Sequence, residues 1–249
     1  MNLALSITEI FYSVQGESTF MGLPCIMIRL AGCDMRCSYC DTTYAHQPGR
    51  LLSVEEIIAE VETLAGSKFY CNGRIAGKYH MRLPLVEVTG GEPLLQPATL
   101  PLLTMLCNHG YTVLLETNGA HDITLVDPRV HRIVDLKCPS SGECNRNRLE
   151  NISKLEPRDE IKFVIASRED YEWAREMLFK HELFRICPVL FSWAEPVTSP
   201  PKVKLNPFPA HHHRITRSDL AELILRDRLP VHFQIQLHKL IWPEIERGV

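Results

Sequence analysis

Seven short apolar runs recur along this chain, separated by helical patterns or polar loops. Most of the runs are continuous rather than alternating, as expected for parallel strands that are buried on both faces. Their alternation with helices predicts an α/β fold on a parallel sheet, either open or curved into a partial barrel. The runs lie at Cys25–Leu30, Leu85–Thr89, Thr112–Thr117, Arg132–Leu136, Ile161–Ala166, Arg185–Phe191 and Val231–Leu237.

Helical patterns fill several of the gaps between these runs. Ser53 and Glu56 stand at capping-box spacing before a segment with an apolar period of three to four residues. Ser167 and Ser218 are predicted to begin two further helices. Gly110 follows another helical segment, at the position where glycine often ends a helix. We therefore expect helices to pack against the strands along most of the chain.

Length and composition narrow the class of protein. Residues 1–249 suit a single domain, with an insertion loop at about 66–84 and an irregular proline-rich connection at about 192–214. A formal net charge of −3 predicts no binding of nucleic acid or membrane, and no apolar run approaches the roughly 18 residues of a membrane span. The chain starts without a secretory signal, and its nine cysteines cannot all pair. We expect a cytoplasmic protein with free thiols.

Cys33, Cys37 and Cys40 fall within eight positions, directly after the first predicted strand. Loops at the carboxyl ends of parallel strands commonly carry the function of such folds. Three thiolates can bind three irons of a [4Fe–4S] cluster and leave the fourth iron open to a small molecule. A zinc site with His46 as its fourth ligand is the alternative. The other cysteines lack metal-binding spacing.

The spacing of these cysteines, with Tyr39 before the last of them, resembles the radical S-adenosylmethionine (SAM) superfamily. The segment VEVTGGEP resembles the Gly-Gly-Glu segment of that superfamily, here Gly90, Gly91 and Glu92. Glycines at this place would let the backbone approach a ligand closely. The resemblance implies an incomplete (β/α)6-type barrel, open on one side, with its site at the carboxyl ends of the strands. It also implies a [4Fe–4S] cluster and bound SAM as cofactors.

Further segments sharpen the resemblance, namely FYSVQGES, CDTTYA, ETNG, DLKCPSSG and the tail IQLHKLIW…RGV. Together they resemble the branch of the superfamily that serves queuosine and other deazapurines. This implies a lyase that converts 6-carboxy-5,6,7,8-tetrahydropterin into 7-carboxy-7-deazaguanine, a ring contraction that releases ammonia. It also implies that cleavage of SAM supplies a 5′-deoxyadenosyl radical, which takes a hydrogen from C6 of the substrate. The cofactor radical then carries the chemistry, and no side chain is expected as a catalytic acid or base.

Polar residues near the start are candidates for substrate binding. Gln15 and Glu17 flank Gly16 and could contact the donor and acceptor edge of a pterin, although a simple polar turn is the alternative. Arg29 lies within an apolar strand, where its charge needs a partner. A substrate carboxylate or an internal acid would serve. With the resemblance, we expect substrate contacts from Val14, Gln15, Gly16, Glu17, Arg29, Thr89, Gln236, His238 and Val249.

Later strand ends provide candidates for the cofactor. The segment DLKCPSSG follows the fourth predicted strand, and LFSW lies at the end of the sixth. The resemblance implies that SAM contacts residues from these segments and from the two glycine- and cysteine-bearing loops. They are Tyr39, Asp41, Gly90, Gly91, Glu92, Lys137, Ser140, Ser141, Phe191 and Ser192.

Thr42 stands two residues after Cys40 and brings a compact hydroxyl close to the expected cluster. Magnesium is a hard ion that takes oxygen ligands, such as a hydroxyl, a carboxylate or a ring carbonyl. The resemblance implies that Thr42 is the protein ligand of a magnesium ion that also binds the substrate. A hydroxyl that only caps a turn is the alternative.

The resemblance further implies a homodimer and an external electron donor such as flavodoxin. Two rival functions stay open from the sequence. An activating enzyme of a glycyl-radical protein would keep the three-cysteine loop but act on a polypeptide. A zinc-binding interaction module would use the cysteines only as structural ligands.

Overall fold

The computed structural model describes residues 3–66, 70–75, 79–196 and 200–249, with the backbone alone in 70–75 and 79–81. Its strands are β1 (Ala4–Val14), β2 (Pro24–Leu30), β3 (Arg50–Ser53), β4 (Tyr70–Ile75), β5 (Tyr79–Leu83), β6 (Leu85–Gly90), β7 (Val113–Thr117), β8 (His131–Asp135), β9 (Glu160–Ile165), β10 (Val189–Trp193) and β11 (His232–Gln234). The main sheet has the order β11-β10-β9-β8-β7-β6-β2-β1-β3, and β4 pairs with β5 separately.

A parallel run of strands forms the centre of the main sheet. Strand β2 pairs with β6, and parallel pairing continues through β7, β8, β9 and β10 to β11. All seven predicted runs fall on these strands, which confirms the α/β class. The run at 185–191 is only partly right, because Leu183–Arg185 forms a 3-10 turn and β10 begins at Val189. The run at 231–237 is also too long, because β11 ends at Gln234 and Leu237 begins α5. Strands β1 and β3, which add to β2 in antiparallel order, were not predicted.

The helices are α1 (Val54–Ala65), α2 (Thr99–Asn108), α3 (Arg168–Lys180), α4 (Arg217–Asp227) and α5 (Leu237–Ile241). The predicted caps at Ser53 and Ser167 are confirmed, each within a complete capping box. The prediction of Ser218 as a helix start is wrong. Thr216 caps α4 instead, because its hydroxyl and the Asp219 carboxylate each accept a bond from the other's backbone N–H. Ser218 has Ala221, which offers no carboxylate, at the matching position.

Alternate side chains of the parallel strands face two different environments, since successive residues of a strand point to opposite sides. On β2, Ile26 and Ile28 are fully buried in an apolar layer that includes residues of α1 and α2. Met27 stands between these two residues and Arg29 directly follows Ile28. Both line an interior cleft. The same alternation on β6 and β9 presents to that cleft Glu87, Thr89, Lys162 and Val164.

The loop between β1 and β2 contacts strands that are distant in the sheet. The backbone N–H of Ser18 donates to Oε1 of Gln234 at 3.2 Å, and its carbonyl accepts from Nε2 at 2.6 Å. The backbone N–H of Thr19 donates to the Glu160 carboxylate at 3.1 Å. Because Glu160 begins β9 and Gln234 ends β11, at least three strands lie between each of them and β2. The sheet therefore curves until its two sides approach, as an incomplete barrel does.

Two segments depart from the sheet. The sequence predicts an insertion loop at 66–84, but its described residues include the hairpin of β4 and β5. The predicted irregular connection at 192–214 begins with the last residues of β10, and its described part holds no further helix or named strand. Within the described residues, no helix has the length and apolar character needed to cross a membrane.

Candidate functional site

A cleft inside the curved sheet extends between the cysteine loop and the loop after β1. Most residues predicted for the cluster, the cofactor and the substrate line it. They are Val14, Gln15, Gly16, Glu17, Arg29, Cys33, Cys37, Tyr39, Cys40, Asp41, Thr42, Thr89, Gly90, Gly91, Lys137, Ser192, Gln236, His238 and Val249. Four other predicted residues are buried in the surrounding protein and do not line the cleft, namely Glu92, Ser140, Ser141 and Phe191.

The cleft is not confined to the carboxyl edge of the sheet. Val14 pairs with Pro24, the first residue of β2, so the loop that follows β1 leaves from the amino-terminal edge. From there Gln15 and Glu17 extend to Glu87 and Lys162, which lie in the middle of β6 and β9. The cysteine loop closes the cleft at the carboxyl edge. The site therefore uses the interior of the sheet, and the expectation of carboxyl ends alone is incomplete.

The cysteine loop is held by its own backbone and by a neighbouring loop. The backbone N–H of Gly32 donates to the Ala45 carbonyl at 2.7 Å, and that of Cys40 to the Cys37 carbonyl at 3.1 Å. Burial raises the pKa of the three thiols in this loop, Cys33, Cys37 and Cys40, and that of Cys40 to about 12. In the metal-free protein these thiols are protonated at neutral pH, so metal binding must release protons.

The thiols suit an iron–sulfur cluster better than a zinc ion. His46 Nε2 lies 3.9 Å from Cys40 Sγ. Across the described residues, however, no three His, Cys, Asp or Glu side chains are grouped so that they could hold one metal ion. A structural zinc needs four ligands around a single ion, whereas each thiolate of a [4Fe–4S] cluster binds a different iron. Three thiols on one cleft therefore fit the cluster.

The Gly-Gly-Glu segment is fixed to the start of the cysteine loop. The backbone N–H of Gly91 donates to the Leu30 carbonyl at 3.0 Å, and that of Glu92 to the Gly32 carbonyl at 2.8 Å. A Cβ on Gly91 would overlap the Gly32 carbonyl, and one on Gly90 would overlap that of Leu30. The backbone that leads into the cysteine loop fills only the side where a Cβ would stand, and both glycines also line the cleft.

Glu92 connects the same segment to the end of β7. Its carboxylate accepts from the Thr117 hydroxyl at 2.8 Å and from the Asn118 backbone N–H at 2.6 Å. Thr117 and Asn118 in turn line the cleft. Burial raises the pKa of Glu92, although these hydrogen bonds oppose the shift. Contact between Glu92 and SAM stays a prediction.

The two serines after β8 support the cysteine loop. The backbone N–H of Ser38 donates to the Ser141 carbonyl at 3.0 Å, and its hydroxyl donates to the Ser140 carbonyl at 2.5 Å. The Ser140 hydroxyl donates to Asp170, which stands in the first turn of α3. On β10, Phe191 packs on Phe163 with ring centroids 5.5 Å apart, so its neighbour Ser192 is the residue that lines the cleft.

Charged residues from several strands and from the loop after β1 form one wall of the cleft, here called the interior wall: Glu17, Glu87, Glu116, Asp135 and Lys162. Lys162 is its buried cation, with a side chain 4% exposed. Its Nζ lies 2.9 Å from Glu17 Oε2 and 3.5 Å from Asp135 Oδ1, and it also pairs with Glu116. Burial opposes the charge, but the three carboxylates outweigh it and raise the pKa of Lys162 well above its usual value. Lys162 in turn lowers the pKa of Glu116 to about 2, against the effect of burial. Lys162 and Glu116 therefore face each other as a charged pair at neutral pH.

Glu87 behaves in the opposite way to Glu116. Its burial, with the nearby charge of Glu116, raises the pKa of Glu87 to about 8, so this carboxyl holds a proton at neutral pH. Gln15 Nε2 donates to Glu87 Oε2 at 2.7 Å, and Gln15 Oε1 accepts from the Glu17 backbone N–H at 2.6 Å. Gln15 thus forms the local turn that the sequence allows and also fixes the interior wall.

Arg29 has the internal partner that the sequence leaves open. Its Nε lies 2.9 Å from Glu9 Oε1, which also accepts from the Tyr44 hydroxyl at 2.9 Å. Among the described residues, no hydrogen bond to the two terminal guanidinium nitrogens is found. Since Arg29 also lines the cleft, those nitrogens can still bind a ligand carboxylate in a bidentate way.

The C-terminal segment covers one side of the cleft. Asp41 Oδ2 accepts from Gln236 Nε2 at 2.8 Å and from Lys239 Nζ at 2.6 Å, while Asp41 Oδ1 accepts from the Thr42 hydroxyl at 2.8 Å. Burial disfavours the Asp41 charge, yet Lys239 and these bonds hold the pKa of Asp41 well below its usual range. Arg247 Nε lies 3.5 Å from Glu9 Oε2 and so fixes the end of the tail.

Sequence reasoning did not select Glu87 or Lys162, although both line the cleft. The signal was available, because Glu87 and Lys162 are the charged residues of the otherwise apolar runs at 85–89 and 161–166, as Arg29 is of its own run. A charge at such a position is costly unless it is paired, so it marks the inner face of the strand.

The curved parallel sheet and the three-cysteine loop define a radical SAM enzyme, and residues 27–139 match the model of the Radical SAM superfamily. The crystal structure of QueE from Escherichia coli has the same fold, with a TM-score of 0.66 and 20% identity over 94% of this chain and 95% of that one.

Two relatives are more similar in sequence. The 7-carboxy-7-deazaguanine synthase of Chlorobaculum tepidum is 44% identical over 98% of this chain and 97% of its own length. The 7-carboxy-7-deazaguanine synthase of Koribacter versatilis is 42% identical over 98% of this chain and all of its own. The chain belongs to the 7-carboxy-7-deazaguanine synthase family. This membership does not favour the glycyl-radical activating enzyme or the zinc module.

Proposed function

We propose that the cleft binds 6-carboxy-5,6,7,8-tetrahydropterin and that the enzyme converts it into 7-carboxy-7-deazaguanine with loss of ammonia. One observation carries the proposal. The three cluster thiols and a set of polar residues suited to a small acidic heterocycle, among them Gln15, Glu17 and Arg29, line the same cleft. A substrate held by the second set would lie next to the cofactors held by the first.

Cys33, Cys37 and Cys40 would hold the [4Fe–4S] cluster, and Gly90, Gly91 and Lys137 would border SAM. When bound, these groups supply a 5′-deoxyadenosyl radical that can abstract hydrogen. The chain's own contribution is to position the thiols through the backbone bonds of the cysteine loop and to keep solvent from the cleft. Positioning of this kind can account for a large part of a rate enhancement.

The interior wall supports recognition of the pterin ring. Glu17 is paired with Lys162 and offers acceptor oxygens, whereas the carboxyl of Glu87 holds a proton at neutral pH and can donate a hydrogen bond. A pterin presents donors at its amino and ring N–H groups and acceptors at its carbonyl and ring nitrogen. The wall therefore matches an edge with both kinds of group, and Thr89 adds a hydroxyl beside it.

Arg29 is the proposed partner of the substrate carboxylate. Its bond to Glu9 uses Nε and orients the guanidinium without using the terminal nitrogens. A charge-assisted bidentate contact of this kind is among the stronger single interactions in a binding site. The tail residues Gln236, His238 and Val249 would cover the bound ring from the open side.

We also propose a magnesium ion bound by the Thr42 hydroxyl together with oxygens of the substrate. Thr42 lines the cleft, and its hydroxyl donates to Asp41, so its lone pairs remain available for a cation. Asp41 itself is held by Gln236 and Lys239, which leaves Thr42 as the better oxygen donor.

The remaining proposals concern assembly and supply of electrons. We infer a homodimer, supported by the half-exposed apolar residues Leu240, Ile241 and Ile245 of the tail region. We infer a single domain in a cytoplasmic protein that accepts electrons from an external donor such as flavodoxin. Together with the cofactors, these complete an enzyme of queuosine and deazapurine biosynthesis.

An anaerobic assay tests the function. Cluster-loaded protein, SAM, dithionite and the carboxypterin are incubated together, and the product is identified by its mass. The wild type and Cys107→Ala should form the deazaguanine, while Cys37→Ala should not cleave SAM. A wild-type protein that cleaves SAM but releases no deazaguanine would overturn the proposed substrate.

A further inference from the structure

We propose that the outer side of the cysteine loop is the docking surface for an acidic protein that donates single electrons. Three exposed cations form this basic surface, namely Arg36, Lys202 and Lys204. The inference rests on the proposed function, because a chain that carries a reducible cluster needs an electron donor.

The connection after β10 brings the two lysines to the cysteine loop. The backbone N–H of Lys202 donates to the Thr43 hydroxyl at 3.1 Å, and that of Asn206 donates to the Arg36 carbonyl at 2.7 Å. Residues 202–206 therefore lie along the outside of the loop. Exposure alternates along them, so that Lys202 and Lys204 face solvent while the residue between them is partly buried.

Arg36 lies on the cysteine loop and is connected to the proposed cluster ligand Cys40 through His46. Its Nη1 donates to the Cys33 carbonyl at 2.8 Å and lies 3.0 Å from His46 Nδ1. The other ring nitrogen of His46 lies 3.9 Å from Cys40 Sγ. A short path of contacts thus joins the basic surface to a thiol of the cluster site, which is the side from which an electron should enter.

The charge of this surface contrasts with that of the whole chain, whose formal net charge is −3. Within the described residues, neither Lys202 nor Lys204 forms an ion pair. Acids in and beside the loop already have partners, Asp41 among them through Lys239. Asp34 is paired with Arg146, and the buried Glu143 accepts from the Arg36 backbone N–H at 2.8 Å. Locally unpaired positive charge steers and orients a negatively charged partner.

The test compares two reductants on the same cluster-loaded enzyme. Flavodoxin, reduced by its reductase, probes the surface, whereas dithionite reduces the cluster without docking. The test variant is Lys202→Glu with Lys204→Glu. The matched control is Lys154→Glu with Lys180→Glu, which changes the net charge by the same amount. These lysines lie at the opposite edge of the sheet, because Lys154 precedes β9 and Lys180 ends α3, the helix before β10.

We expect the test variant to lose about tenfold in kcat/KM for flavodoxin, with a weaker effect at high salt, while turnover with dithionite is kept. Flavodoxin binding, measured separately by flavin fluorescence, should weaken by a similar factor. The control should match the wild type in every assay. Unchanged flavodoxin binding in the test variant overturns the docking surface. A different result would overturn the proposed function alone. In that case the wild type and all variants form no product with dithionite, while flavodoxin binding still weakens in the test variant only.

Discussion

Gly91 packs directly against the carbonyl of Gly32, so closely that no side chain fits between them. Two backbone hydrogen bonds, from Gly91 to Leu30 and from Glu92 to Gly32, hold the contact. The residue after Gly32 is Cys33, the first of the three proposed cluster ligands. The strand that carries the Gly-Gly-Glu segment therefore fixes the starting point of the cysteine loop, whatever it also contributes to SAM binding.

Gly91→Ala should prevent normal cluster assembly, because its Cβ would displace the backbone that leads into Cys33. Iron and sulfide content after anaerobic reconstitution measures this. Gly66→Ala is the control, since Gly66 has a positive φ of 68° and, among the described residues, no atom lies within 4 Å of its added Cβ apart from its chain neighbours. That variant should lose about 1 kcal/mol of stability and keep its iron. Full iron content in Gly91→Ala would contradict the prediction.

Lys162→Met should destabilise the cluster-free protein by about 3–5 kcal/mol, since it leaves the carboxylates of Glu17, Glu116 and Asp135 without their buried cation. Denaturant unfolding measures the loss. Lys162→Arg should recover part of the stability, because it restores the charge with a different shape. Lys180→Met, an exposed change, should be neutral. Equal stability of the Met and Arg variants would show that the charge of Lys162 is unimportant.

Glu87 predicts a pH dependence of stability. Its pKa rises from about 4.5 to about 8 on folding, so the folded protein keeps a proton that the unfolded chain releases between these values. The free energy of unfolding should therefore fall as the pH rises from about 4.5 to about 8.

Glu87→Gln should flatten this part of the pH profile, because the amide does not titrate and can keep the contact with Gln15. Unfolding of the cluster-free protein at several pH values is the measurement, with the exposed Glu55→Gln as the control. An unchanged slope in Glu87→Gln would assign the pH dependence to other groups.

A C-terminal tag should weaken substrate binding, whereas an N-terminal tag should not. Val249 lines the cleft, and Arg247 holds the tail to Glu9. Residues added after Val249 would therefore crowd the part of the cleft that the tail covers. Substrate affinity of the two tagged proteins, each loaded with its cluster, is the comparison. Equal affinities would place the tail outside the substrate site.

Turnover should fall when magnesium is chelated and recover when it is returned. Thr42→Ala should blunt this response, and Thr42→Ser should largely keep it, because serine preserves the oxygen ligand. Titration of activity with magnesium measures the difference. A Thr42→Ala enzyme that responds to magnesium as the wild type does would remove Thr42 as the ligand.

Much of the fold could be predicted because its central strands are continuous apolar runs with recognisable helices between them. Strand β1 was missed because Leu5 and Ile7 are its only buried residues, so it lacks the nearly continuous burial of strands such as β6 and β9. Helix α4 was placed two residues late because serine alone is a weaker signal than Thr216 with Asp219.

For the site, the cysteine motif and the segments around it predicted most of the residues that line the cleft. Their partners could not be predicted in the same way. That Gln15 contacts Glu87, or that Glu17 contacts Lys162, depends on how far the sheet curves. Curvature is a property of packing between distant strands, and no local pattern of residues records it.

The reciprocal bonds between Ser18 and Gln234 join positions 216 residues apart in the chain. Contacts of such long sequence separation form late in folding. At roughly 5–20 residues per second, the ribosome needs about 10–40 s to add the intervening segment. The three cysteines are synthesised early in that time. The part of the cleft wall that depends on the bonds between Ser18 and Gln234 cannot form until its end. A nascent or truncated chain that lacks β11 thus has the cysteine loop but cannot form this part of the cleft around it.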